Sequence, residues 1–151
     1  MVDLDWCKRQ DKGIKLIEPN NNLAEEYLKN AEETLAVLKE VDGKSNIWTA
    51  TMKYYFEYFC FYSILMKLGI KCEIHDCTIE FCRLLESLEI LPENSSEILE
   101  KDKVLRIDNQ YYLKNKKIII DYEKLSELFL QTKEIINKMT LSKIQRVRDI
   151  I

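Results

Sequence analysis

The stretch from about Asn46 to Leu68 constrains this chain most. It carries Trp48, Tyr54, Tyr55, Phe56, Tyr58, Phe59, Phe61 and Tyr62, eight of the 15 aromatic residues in the sequence, and Gly69 closes it. A helix that is apolar on most sides has to be covered on most sides. The segment therefore reads as a central helix wrapped by others. Part of its tyrosine-rich surface is available to a second subunit, because tyrosine buries a ring while its hydroxyl stays satisfied. With only Gly 3 and Pro 2 in 151 residues, the chain lacks the regularly spaced turn residues of a sandwich or barrel. The length fits one domain that buries a core without staples.

Spacing places the other helices. Asn22 can cap a first helix, with Glu25 three residues on as its capping-box partner. Ala24, Tyr27, Leu28, Ala31, Leu35 and Leu38 then recur at helical intervals up to Asp42-Gly43, where Gly43 suits a left-handed end. A third helix begins near His75 or Asp76, with Ile79, Phe81, Cys82, Leu84, Leu85 and Leu88 on its apolar face. A fourth starts at Ser95-Ser96 and runs to about Leu113 on a weaker stripe. A fifth is capped by Asp121 and carries Leu125, Leu128, Phe129, Thr132, Ile135, Ile136 and Met139. Ile118-Ile119-Ile120 reads as an apolar plug leading into it, and Ser142 as the cap of a short basic tail. Residues 1–20 read as a leader with one short turn of helix, and residues 21–151 as a single all-α, up-and-down bundle of about five helices.

Lys+Arg 23 against Asp+Glu 26 gives a net charge of -3, which is not the footprint of a strong duplex-DNA binder. The acidic start Met1-Val2-Asp3-Leu4-Asp5 has no apolar run behind it and does not read as a signal peptide. The most apolar stretch, Tyr54 to Met66, is interrupted by Glu57 and is shorter than the roughly 20 residues a membrane span needs. Five cysteines, Cys7, Cys60, Cys72, Cys77 and Cys82, are an odd number. A reduced, cytoplasmic protein with no membrane contact is the simplest expectation.

Four stretches, in order, carry a family likeness. They are Ala24-Glu25-Glu26-Tyr27-Leu28-Lys29-Asn30-Ala31, Met52-Lys53-Tyr54-Tyr55-Phe56-Glu57-Tyr58-Phe59 running into Leu65 to Ile70, His75 with Thr78-Ile79-Glu80-Phe81, and Arg106-Ile107-Asp108-Asn109-Gln110-Tyr111-Tyr112. Over residues 23 to 139 the chain resembles the HEPN superfamily (higher eukaryotes and prokaryotes nucleotide-binding domain), and most of all its small prokaryotic branch. The resemblance implies a helical bundle that forms a homodimer and binds nucleotide or RNA. It is non-catalytic or weakly catalytic, and can partner a nucleotidyltransferase in a toxin–antitoxin-type system. Many members of the family are ribonucleases, whose motif is an arginine followed four to six residues later by a histidine. This chain has no arginine between Arg9 and Arg83, and Lys71 stands four residues before His75. Lysine offers phosphate a point charge where arginine offers a planar fork. The departure bears on catalysis and leaves the fold unaffected.

His75, the only histidine, is the sharpest catalytic candidate, because base catalysis at a 2′-hydroxyl needs a group that titrates near neutrality. Lys71 is its candidate partner in a metal-independent ribonuclease. The plainer reading is a helix-start histidine that packs. Arg106, Asp108 and Tyr111 form a candidate ligand set, in which Arg106 meets phosphate and Tyr111 stacks a base; the plainer reading is an Arg106–Asp108 surface pair beside a core tyrosine. The basic groups Lys114, Lys116 and Lys117, and Lys143, Arg146 and Arg148, either track a nucleic-acid backbone or form a solvated face. Cys72, His75, Cys77 and Cys82 match no standard zinc spacing and read as buried thiols. No cofactor and no metal are implied. A structural homodimerisation module without a ligand is the remaining reading.

Overall fold

The computed structural model describes residues 1–151 and is an all-α bundle carrying one two-residue ladder. In chain order the elements are α1 (Leu4–Arg9), β1 (Lys15–Leu16), α2 (Asn21–Val41), α3 (Asn46–Leu68), β2 (Ile70–Lys71), α4 (His75–Ser87), α5 (Ser95–Gln110), α6 (Tyr122–Lys138) and α7 (Leu141–Arg148). The five long helices lie where the apolar spacing puts them, and two short ones flank them. No helix is long and apolar enough to cross a membrane.

Helix ends follow local chemistry. Asn20, Ser45, Asp121 and Thr140 each accept a hydrogen bond from a backbone N–H three residues on, which satisfies one of the donors a helix start leaves open. Two of these caps differ from expectation: Asn20 takes the place of Asn22, and Thr140 that of Ser142. Gly69 ends α3 in the left-handed conformation (φ 74°), which glycine adopts at no steric cost.

Helix α3 is the central element. Tyr54, Phe56, Tyr58, Phe61 and Tyr62 are buried on it, while α2, α5 and α6 pack around it. Most of the aromatics assigned in part to a subunit interface are therefore already covered within one chain. Trp48, near the start of the helix, is 52% exposed. Two apolar clusters result. The larger centres on α3 and α4 and includes Tyr54, Leu65, Phe81 and Leu85. The smaller joins Ala31 and Leu38 of α2 to Phe56, Cys60 and Leu125.

The first 20 residues, with their one short helix, pack onto the bundle. Cys7 and Ile14 lie in the larger cluster. β1 pairs antiparallel with β2, Lys15 opposite Lys71 and Leu16 opposite Ile70. Cys7 and Cys77 form a disulfide between α1 and α4. The expectation of five reduced thiols is thereby corrected to three, Cys60, Cys72 and Cys82, all buried. The two partners are 70 residues apart, and sequence spacing carries no sign of that pairing.

The basic tail also has a structural role. Arg148 Nη1 donates to the carbonyls of Ile17 (2.8 Å), Leu68 (3.1 Å) and Gly69 (2.8 Å). It thus satisfies carbonyls that the end of α3 would leave open, and joins both chain ends to that point. Ile118-Ile119-Ile120 has no strand partner and is less of a plug than expected: Ile119 is 88% exposed, and only Ile118 and Ile120 are half-buried.

Candidate functional site

His75 is the first residue of α4, and its ring faces the tyrosines of α3. Tyr54, Tyr55 and Tyr58 stand at positions i, i+1 and i+4 of α3, within about 100° of one another around the helix, so one broad face presents all three. The Tyr54 hydroxyl lies 2.7 Å from His75 Nδ1. The Tyr58 ring stacks on the imidazole at 4.6 Å between centroids, and Tyr55 meets it edge-on at 6.3 Å. The connection into α4 is pinned separately: the Tyr62 hydroxyl donates to the Cys72 carbonyl (2.9 Å) and accepts from the Cys72 N–H (3.0 Å).

Arg106 reaches the same cluster from α5. Its guanidinium carbon lies 4.9 Å from the centroid of Tyr54 and 5.4 Å from that of Tyr55, and Nη1 donates to the Tyr55 hydroxyl at 3.2 Å. The negative faces of the rings favour the cation. Its Nε is buried and has no partner. Lys103, one turn earlier on α5, pairs with Asp76 beside His75. The cluster therefore joins a cation with spare donors, an imidazole and aromatic faces.

Electrostatics fixes the protonation of this group. Burial, then the Arg106 guanidinium and the Lys103 ammonium, lowers the His75 pKa below its ordinary value, and Asp76 opposes them. Burial raises the Tyr54 and Tyr58 hydroxyls above the usual phenol range, so both stay protonated at neutral pH. His75 is then neutral at pH 7. With the proton on Nδ1, Tyr54 Oη accepts it and Nε2 is left as a base; with the proton on Nε2, Tyr54 donates.

The expected site residues divide. His75 and Arg106 come together. Lys71 does not join them: it lies on β2, is exposed, and pairs with Glu73 at 3.8 Å. Asp108 is buried and faces the basic loop, where Lys116 (2.8 Å) and Lys114 (3.4 Å) pair with it and hold its carboxyl below the usual range. The Arg106–Asp108 surface pair is replaced by these two sets of contacts. Tyr111 is 65% exposed, just past α5, so it is no core tyrosine. No group of three or more metal-ligating side chains is assembled, and Cys77 is taken by its disulfide. Tyr54, Tyr55, Tyr58 and Lys103 were not singled out as site residues. The spacing of the three tyrosines along α3 was the available signal, but it also fits a packed core.

Comparison with known proteins gives no match: no family model, no curated protein and no solved structure resembles this chain closely enough to assign it.

Proposed function

We propose that this chain is a HEPN-like helical module that binds nucleotide or RNA at the Arg106–His75–tyrosine cluster, non-catalytic or weakly catalytic, and works as a homodimer in the cytoplasm. The observation that carries the reading is the state of Arg106: it is braced by Tyr54 and Tyr55, yet Nε has no partner. A buried unpaired donor is costly, and phosphate accepts from a guanidinium in two places at once. Tyr55, half-buried, offers a ring on which a base can stack. A nucleotidyltransferase partner rests on the family resemblance alone. The dimer is supported by exposed Tyr111, Tyr112 and Leu113, apolar surface beyond the end of α5. In the cytoplasm, burial of Cys7 and Cys77, both 0% exposed, would shield their bond from reductant.

The test is fluorescence anisotropy of a labelled single-stranded RNA at two salt concentrations. Salt-sensitive binding that is lost in Arg106→Ala supports the reading, and RNA affinity unaffected by Arg106→Ala overturns it.

A second reading, metal-independent ribonuclease, is favoured by His75 being neutral at pH 7 beside a cation. Arg106 then takes the place on the phosphate for which Lys71 was the sequence candidate. Cleavage of RNA in EDTA by the wild type and not by His75→Ala would establish it; no cleavage by either leaves the binding module.

A further inference from the structure

A second site lies on another face of α3. Helices α5 and α6 each pack on α3 but scarcely on each other, and between them opens a cavity of about 530 Å³. That is within the size range of small-molecule pockets. Phe61, Ile64, Leu99, Leu128 and Ile135 give it an apolar wall. Its floor is charged: Lys53 donates to Glu57 Oε2 at 3.0 Å and also pairs with Asp102 of α5. The cavity does not share residues with the tyrosine cluster. Asp102 and Arg106 lie one turn apart on α5, one at each site.

The floor has an unbalanced charge. Two carboxylates share one ammonium, and the Glu57 side chain is only 5% exposed. Glu57 Oε1 is buried and has no hydrogen-bond partner. Burying a charge without its full complement of partners is expensive. Burial, then the neighbouring Asp102, pushes the Glu57 carboxyl well above the usual range, so that an empty floor draws in a proton. The same deficit is met by any cation that fits. Around the whole cavity the ionisable residues are five acids (Glu57, Glu93, Asp102, Asp121, Glu127) and three lysines (Lys53, Lys101, Lys124). The surrounding field therefore also favours a positive ligand.

We propose that the cavity between α5 and α6 binds an amphiphilic organic amine, its ammonium on Glu57 Oε1 and Asp102 and its apolar body along Phe61, Ile64 and Leu128. This goes beyond the phosphate-binding reading and does not depend on it. A carboxylate-bearing ligand of the same shape meets like charge, and a neutral alcohol leaves the proton on Glu57 in place and gains no ionic contact.

The test uses three ligands of one shape, 4-phenylbutylamine, 4-phenylbutanol and 4-phenylbutyrate, titrated into the full chain and followed by amide NMR shifts on α3, α5 and α6. The amine is expected to bind roughly tenfold or more tightly than the alcohol, the advantage of a hydrogen bond between charged groups, and the acid not to bind. Glu57→Gln should reduce the amine to the level of the alcohol while circular dichroism stays helical. Leu128→Trp, which fills the cavity from its half-exposed wall, should abolish binding, and it decides the matter if Glu57→Gln does not fold. Equal binding of amine and alcohol overturns the proposal. So does amine binding that survives Glu57→Gln in a folded protein, or survives Leu128→Trp, and so does no amine binding at all. RNA affinity is read in parallel and should be unchanged in Glu57→Gln, so the two sites fail separately.

Discussion

Tyr54 Oη and His75 Nδ1 are 2.7 Å apart, joining the middle of the central helix to the first residue of α4. Tyr54 is fully buried, so this bond orients the imidazole from inside the core. Replacing Tyr54 by Phe keeps the ring and removes only the hydroxyl. The expected cost is about 1 kcal/mol, plus whatever is lost by leaving Nδ1 without its partner, read as a lower urea midpoint at unchanged slope.

Stability should also depend on pH through His75. Its folded pKa is depressed, so below the unfolded value of about 6.5 the unfolded chain binds more protons than the folded one. The contribution is complete above that pH and is lost as the pH falls through the window beneath it. Glu57 acts in the opposite sense. Its folded pKa is raised, so its contribution is complete below about pH 4.5 and is lost as the pH rises through the folded value. Urea midpoints measured from about pH 5 to pH 8 should show the acid-side loss in Glu57→Gln, where the opposing trend is absent, and no such loss when His75→Gln is added to it.

Arg106 is tested by two substitutions. Arg106→Ala removes a cation held over two rings and should lower RNA affinity about tenfold or more, with a stability loss of about 0.5–2 kcal/mol. Arg106→Lys keeps the charge but loses the fork and the flat face over Tyr54 and Tyr55, so it should restore little of the affinity. Full restoration by lysine would mean that only net charge matters there.

Two glycines with positive φ should respond differently to alanine. At Gly43 (φ 79°) an added Cβ meets nothing within 4 Å, so the cost is backbone strain alone, about 1 kcal/mol. At Gly69 (φ 74°) the Cβ would lie 2.5 Å from the Ile17 carbonyl oxygen and 2.4 Å from Arg148 Nη1. Gly69→Ala therefore adds a backbone clash and disturbs the Arg148 latch, and should cost well over about 2 kcal/mol in a thermal or urea melt.

The sequence was most legible where one physical signal dominates. The aromatic density of residues 46–68, with Gly69 after it, marks α3 and its C-terminal end. Apolar periodicity similarly marks α6. It was least legible where distant residues meet. Nothing near Cys7 in the sequence indicates Cys77, and nothing near His75 indicates Arg106, 31 residues later on a different helix. Lys71 looked the better partner for His75 because it is close in sequence. The short β2 strand carries its side chain to Glu73 instead. Glu57 looked like an interruption of an apolar run. Its role appears only once α5 supplies Asp102 across the cavity.

The Cys7–Cys77 bond has a mechanical consequence. It ties the backbone into a ring that holds α2, α3 and His75, and leaves Arg106 outside. Pulled by its two ends, the oxidised chain can lengthen only before Cys7 and after Cys77. Roughly 230–250 Å of extended backbone stays hidden from the force. The tyrosine and imidazole half of the cluster is thus shielded from tension, while the helix that carries its arginine is the part that tension can draw away.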